Sequence, residues 1–166
     1  MRGDYYKTKE SVEEYIQLAK DVNGKKLIEK LEPFLPAQSK LLELGSGPGT
    51  DWRLLNELYE VTGSDNSIEF VKHLKVNNPN GKFLELDAIT LETDRTFNGI
   101  YSNKVMIHLQ DKELKASIKR QAHILRSDGI ICHSFWKGQD SEIFKGLFVN
   151  YQDEKNFSRM ILRFYQ

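Results

Sequence analysis

Apolar residues change their spacing from segment to segment along this chain, and the changes mark out its elements. Between residues 9 and 31, Val12, Tyr15, Ile16, Ala19, Val22, Leu27, Ile28 and Leu31 recur mostly every three or four positions, with Asn23-Gly24 as an interruption. That spacing predicts one or two amphipathic helices. Pro33 and Pro36 end the helical region and lead into a compact apolar run at 40–44, which reads as the first strand. Beyond it the pattern predicts a helix over 50–58, a strand over 60–65, a helix over 67–76, a turn at 78–81 and a strand over 82–86. A connection over 88–96 then precedes a strand at 99–102 and a helix over 111–125, whose end is marked by Ser127-Asp128-Gly129, with a fifth strand at 130–135. Strands alternating with helices in this way require right-handed crossovers. The expected architecture is therefore a three-layer α-β-α sandwich around a doubly wound, mostly parallel sheet.

Composition adds limits rather than detail. At 166 residues the chain is long enough for a single substantial core, and its 24 basic residues balance 24 acidic ones. No bulk charge favours nucleic acid or a membrane surface. Cys132 is the single cysteine, so there is no intrachain disulfide and no thiolate metal site. Residues 1–7 carry no apolar signal core, and no apolar run reaches the ~18 residues of a membrane span. These features point to the cytoplasm and to no membrane association.

The chemistry concentrates at the ends of the predicted strands. The first strand runs into Glu43-Leu44-Gly45-Ser46-Gly47-Pro48-Gly49, where glycines at alternate positions supply positive φ and let a ligand reach the backbone. A dinucleotide fingerprint would place its third glycine where this chain has Thr50. In a doubly wound sheet the ligand lies beyond the carboxyl ends of the strands. Those ends carry Asp65 and Asn66, Asp87 and Ala88, and Ser102 and Asn103. Asp65 follows Gly45 by about 20 residues, the distance at which an acid accepts from a ribose diol. Its structural alternative is an N-cap for the next helix, a role open equally to Asn66 or Ser67.

Taken together, residues 40–135 resemble the class I S-adenosylmethionine-dependent methyltransferases, which are Rossmann-like. The first motif resembles residues 43–49, the acidic end of the second strand resembles Gly63-Ser64-Asp65-Asn66-Ser67, and the third resembles Leu84-Glu85-Leu86-Asp87-Ala88. The resemblance implies S-adenosylmethionine as cofactor. It implies that Gly45, Ser46, Gly47 and Gly49 lie against its methionine and ribose portions, with Glu43 toward the amino group and Asp65 on the ribose hydroxyls. Asn66 and Ser67 would lie beside the adenosine, Asp87 would accept from the adenine amino group, and the Ala88 N–H would meet a ring nitrogen. Asn103, Lys104 and Val105 would close the methionine side.

Less follows for the methyl acceptor. Residues 101–109 are similar to the segment after strand four of many small-molecule methyltransferases. His108 is the candidate base there, its alternative being to cap and pack the loop before residue 111. Residues 1–35 are expected to form a helical lid over a core at 36–166, with Tyr15, Tyr5 and Tyr6 as candidate aromatic walls and Trp136 beside the acceptor. No Asn-Pro-Pro-Tyr-like tetrad follows strand four, where Ser102-Asn103-Lys104-Val105 stands, so methylation of an exocyclic base amino group is not expected. The amphipathic stretch 153–165 looks like the helix before the family's last two strands, so those strands are expected to be missing and a homodimer is favoured. No spacing specifies a divalent metal site. The functional reading is methyl transfer to a small molecule, with a non-catalytic cofactor-binding or partner-activating subunit and a nicotinamide oxidoreductase as rivals.

Overall fold

The computed structural model describes residues 8–144, 147–155 and 157. Of the one or two helices expected at the start, two form, α1 (Lys9–Leu18) and α2 (Lys25–Leu31), and the predicted interruption at Asn23-Gly24 lies in the turn between them. Thr8 caps α1 by accepting from the Ser11 N–H. The alternation that follows is β1 (Lys40–Leu44), α3 (Thr50–Asn56), β2 (Glu60–Asp65), α4 (Ile68–Asn77), β3 (Lys82–Glu85), β4 (Phe97–Asn103), α5 (Asp111–Ile124) and β5 (Leu125–Ser134). A 3-10 turn at Met106–His108 lies between β4 and α5.

All five strands form one parallel sheet in the order β3-β2-β1-β4-β5. The order reverses between β1 and β4, so a crevice opens where those two strands end. Successive residues of a strand face opposite layers. Leu41 of β1 and Tyr101 of β4 accordingly join Leu31, Trp52, Leu55 and Leu74 beneath α2, α3 and α4. Leu42, Leu44 and Ile100 join Leu114 and Ile118 on the α5 side. Both faces of the central strands are buried, which is why they read as continuous apolar runs.

Two departures from the sequence pattern have clear causes. The predicted helix terminator at residues 127–129 lies inside β5: Leu125 already pairs with Phe97, and the register then jumps to Gly99 opposite Ile130. Residues 126–129 are looped out, with Asp128 at φ 63°. The second departure is an antiparallel hairpin of β6 (Ser141–Phe144) and β7 (Leu147–Asn150), which forms a sheet of its own. The predicted helix over 153–165 lies largely outside the described residues.

Specific polar bonds tie the hairpin to the domain. The Asn150 amide donates to the Leu109 carbonyl at 3.0 Å and to Asp111 Oδ1 at 2.9 Å. His108 Nδ1 lies 2.8 Å from the Phe148 carbonyl. Replacing Asn150 with Ala leaves the Leu109 acceptor without that donor, a loss of about 1–3 kcal/mol. We expect Asn150→Ala to speed amide exchange across 147–150 at least tenfold while β1 and β2 stay protected. Hydrogen exchange checks this, and unchanged protection of the hairpin would contradict it.

Candidate functional site

The crevice is built on the turn between β1 and α3. Gly45, Gly47 and Gly49 all take positive φ, at 67°, 49° and 81°. At two of them the absence of a side chain is also steric: a Cβ on Gly45 would stand 2.5 Å from Val105 Cγ2, and one on Gly49 would stand 2.6 Å from Leu74 Cδ2. Gly47 is different. Its nearest neighbour in that direction is Tyr15 Cε1 at 3.9 Å, so the backbone there faces the underside of α1. Tyr15 in turn packs edge-on against Phe70, with ring centroids 5.9 Å apart.

Asp65 closes the turn from the neighbouring strand. Its Oδ2 accepts from the Gly47 N–H at 3.0 Å and its Oδ1 from the Ser67 N–H at 2.9 Å. The N-cap role falls to Ser67, whose hydroxyl accepts from the Phe70 N–H, so Asp65 is not consumed by helix capping. Asn66 is exposed beside it. Ser46 knits the two strands together: its hydroxyl donates to Glu43 Oε2 at 2.6 Å and accepts from the Ser64 N–H at 3.1 Å. The Ser64 hydroxyl closes the ring by donating to the Glu43 carbonyl.

A residue not anticipated from the sequence completes this centre. Asp51, in the first turn of α3, accepts from the Gly24 N–H at 2.6 Å through Oδ1. Through Oδ2 it accepts from the Tyr101 hydroxyl at 2.8 Å and the Asn103 amide at 3.1 Å. It thereby links the α1–α2 turn to the end of β4. Asn103 Oδ1 also accepts from the Ser134 hydroxyl, which itself receives the Lys104 N–H, so Lys104 is held through its backbone while its side chain is exposed.

Toward the sheet edge, Asp87 Oδ1 accepts from the Ile89 N–H at 2.6 Å and the Thr90 N–H at 3.3 Å. Asp87 is exposed and Ala88 half-buried in that turn, and the Leu86 N–H donates to the Asp65 carbonyl next door. His108 sits apart from the glycine turn, tied instead to the hairpin. Trp136 also faces the hairpin, 6.1 Å from Tyr151 between ring centroids. Tyr5 and Tyr6 lie outside the described residues. A separate groove of about 620 Å³ opens at the other end of the sheet among Lys40, Lys75, Lys82, Arg95 and Arg126, and no predicted site residue lines it.

The crevice is lined by acids. Glu43 is only 3% exposed, and burial, with Asp51 and Asp65 adding, lifts its pKa to about 8 despite the Ser46 hydrogen bond. Burial also raises Asp65 against the pull of its backbone donors. Tyr15 is raised by burial and by the charges of Asp65 and Asp51. Three carboxylates around one glycine turn favour a cationic ligand and disfavour a pyrophosphate.

A glycine turn, an acid at the end of each of the next two strands and a crevice at the sheet's switch point define a nucleoside-cofactor-binding α/β domain. The family model described as a methyltransferase domain matches residues 41–129, more than half of the chain. The chain belongs to this family, and is a methyltransferase of the S-adenosylmethionine-dependent, Rossmann-like class. Solved structures share the fold. A TehB-like SAM-dependent methyltransferase from Corynebacterium glutamicum is 21% identical, with a TM-score of 0.73 over 95% of this chain and 84% of its own. The 1,6-didemethyltoxoflavin-N1-methyltransferase of Burkholderia thailandensis is 16% identical, with a TM-score of 0.73 over 93% of this chain and 72% of its own. Magnesium protoporphyrin IX methyltransferase from Synechocystis is 14% identical, with a TM-score of 0.72 over 97% and 82%. Among the described residues no helix is long and apolar enough to cross a membrane.

The state of Glu43 is directly testable. A carboxyl whose folded pKa is raised stabilises the fold while protonated, and that contribution is lost as pH rises from its unfolded value through its folded one. Glu43 therefore makes the protein less stable between about pH 4.5 and about pH 8. In Glu43→Gln this decline is expected to flatten. Thermal denaturation across that range checks it, and parallel slopes for the two proteins would contradict it.

Proposed function

We propose that this methyltransferase binds S-adenosylmethionine in the crevice above the glycine turn and transfers its methyl group to a small molecule. The observation that carries this reading is the combination of a Cβ-free, positive-φ cradle at Gly47 with three carboxylates around it. When bound, S-adenosylmethionine supplies a methyl group already activated on a positive sulfur, so the protein's work is to bind, orient and exclude water.

The residues fit that task. Asp65 accepts from the backbone N–H groups of Gly47, Ser67 and Asn66, and its two oxygens, with about four lone-pair sites, keep acceptor capacity for a ribose diol. Glu43 meets the ligand's ammonium group, and a positive charge there favours its ionised form. Asp87 has Oδ1 engaged by the turn and Oδ2 for the adenine amino group, with the Ala88 N–H beside it. Gly45, Ser46, Gly49, Asn66, Ser67, Asn103, Lys104 and Val105 complete the walls of the crevice. Helices α1 and α2 form the lid, placed by the Gly24-to-Asp51 hydrogen bond with Tyr15 over the turn.

His108 is the base of this reading. Only the Nδ1–H tautomer can bond the Phe148 carbonyl, because a carbonyl accepts and never donates. Nε2 is then left with its lone pair toward the acceptor side, ready to take a proton from a hydroxyl or amine as the methyl group arrives. The hairpin β6–β7 forms the acceptor wall. Two structural relatives are named for small acceptors, a didemethyltoxoflavin and a magnesium protoporphyrin, which supports a small molecule here. The lone cysteine supports a cytoplasmic setting. Ile143 and Phe144, exposed at 68% and 50%, support a homodimer, which sedimentation velocity checks.

Calorimetric titration tests the cofactor half of the reading. S-adenosylmethionine and S-adenosylhomocysteine are expected to bind in the micromolar range, NAD(H) not at all, and Asp65→Ala to weaken the sulfur nucleosides at least thirtyfold. Binding that survives Asp65→Ala unchanged would reject the assignment. The acceptor half is read by release of S-adenosylhomocysteine across small phenols, amines and thiols. There His108→Gln is expected to cut turnover by ~10²–10⁴ while leaving cofactor affinity alone. Turnover equal to the unaltered chain would return His108 to a structural role.

A further inference from the structure

Behind the Asp87–Ala88 turn lies a row of polar side chains that none of the roles above uses. Ser102 on β4, His133 on β5, and Gln121 and Ser117 on α5 form an unbroken hydrogen-bond chain that ends at the backbone carbonyl of Ala88. Ser102, Ser117 and Gln121 are fully buried, so water cannot replace a lost bond.

The chain has a single consistent direction. The Ala88 carbonyl can only accept, so the Ser117 hydroxyl donates to it, at 2.5 Å. Ser117 accepts from Gln121 Nε2 at 3.1 Å, which turns Gln121 Oε1 toward His133 Nε2 at 2.8 Å. That nitrogen carries the ring proton, and His133 Nδ1 accepts from the Ser102 hydroxyl at 2.8 Å. Desolvation lowers the His133 pKa to about 3, so the neutral ring that this order needs is kept near neutral pH.

The peptide at the end of the chain is gripped from both sides. Its carbonyl, on Ala88, takes the Ser117 hydroxyl, and its N–H, on Ile89, donates to Asp87 Oδ1 at 2.6 Å. A bond to the carbonyl polarises the peptide and strengthens the N–H as a donor. The Ser117 hydroxyl therefore helps to decide which way the Asp87 carboxylate faces.

We propose that Ser117, with Gln121 and His133 behind it, is a positioning residue for the nucleobase: it fixes the 88–89 peptide and, through it, the Asp87 carboxylate that selects an exocyclic amino group. The proposal rests on the assignment of Asp87 to the adenine amino group. Adenine carries a donor at that position, whereas hypoxanthine carries an oxygen that a carboxylate repels. Base selectivity thus depends on a hydroxyl one layer behind the residue that makes the contact.

The test compares S-adenosylhomocysteine with S-inosylhomocysteine by calorimetry, for the unaltered chain and for Ser117→Ala, Gln121→Met and Asp87→Ala, each first shown to be folded by its melting transition. The unaltered chain is expected to prefer the adenine nucleoside at least tenfold. Ser117→Ala should reduce that preference at least threefold, by weakening S-adenosylhomocysteine and not the inosine analogue, and Gln121→Met should reduce it less. A merely structural role would weaken both nucleosides equally, and that result overturns the proposal even if only the Gln121 variant folds. If Asp87→Ala abolishes the preference and neither relay variant moves it, the relay alone fails. If the unaltered chain shows no preference, the adenine assignment of Asp87 fails and the proposal falls with it.

Discussion

Asp65 holds this site together. Its carboxylate, at the carboxyl end of the second strand, receives one N–H from the glycine turn after the first strand and one from the start of α4. Two segments that follow different strands are thereby pinned to one side chain. The positive φ angles of Gly45, Gly47 and Gly49 are the local condition for this: only a turn of that shape brings the Gly47 N–H across to the neighbouring strand. Sheet order supplies the rest, because β1 and β2 are parallel neighbours whose ends fall at the same level.

Electrostatics follows from that placement. Burying Asp65 and Glu43 near one another and near Asp51 raises the cost of leaving Glu43 and Asp65 ionised. A cation entering the crevice relieves that cost, while an anionic cofactor adds to it. The same acids serve structure: Asp51 holds both the α1–α2 turn and the end of β4. On the far side, His108 is fixed by a carbonyl of the hairpin, which leaves its other nitrogen available.

Much of this was legible in the chain, for identifiable reasons. Periodicity located the five parallel strands and their helices because the central strands β1, β2 and β4 are buried almost throughout and each helix buries one face. The glycine turn and Asp65 were legible because their spacing is local and the sheet places successive strand ends together. Asp51 escaped notice because its partners, Gly24, Tyr101 and Asn103, lie 27, 50 and 52 residues away, although an acid in the first turn after a glycine loop was a usable signal. The hairpin was missed because residues 141–150 alternate weakly and carry no tight two-residue turn sequence. The partners of His133 come from α5 and β4 and could not be inferred from its neighbours in sequence. The Ser127-Asp128-Gly129 signal was real and misplaced: it marks a bulge within β5 rather than the end of a helix.

The measurement that bears most directly on this account is a crystal structure of the chain with S-adenosylhomocysteine. The account predicts the ribose hydroxyls on Asp65, the amino group at Glu43 beneath Tyr15, and the adenine at the Asp87–Ala88 turn. Density for the nucleoside at the opposite end of the sheet, in the basic groove among Lys40, Lys75 and Arg126, or above the glycine turn with its ribose away from Asp65, would contradict it.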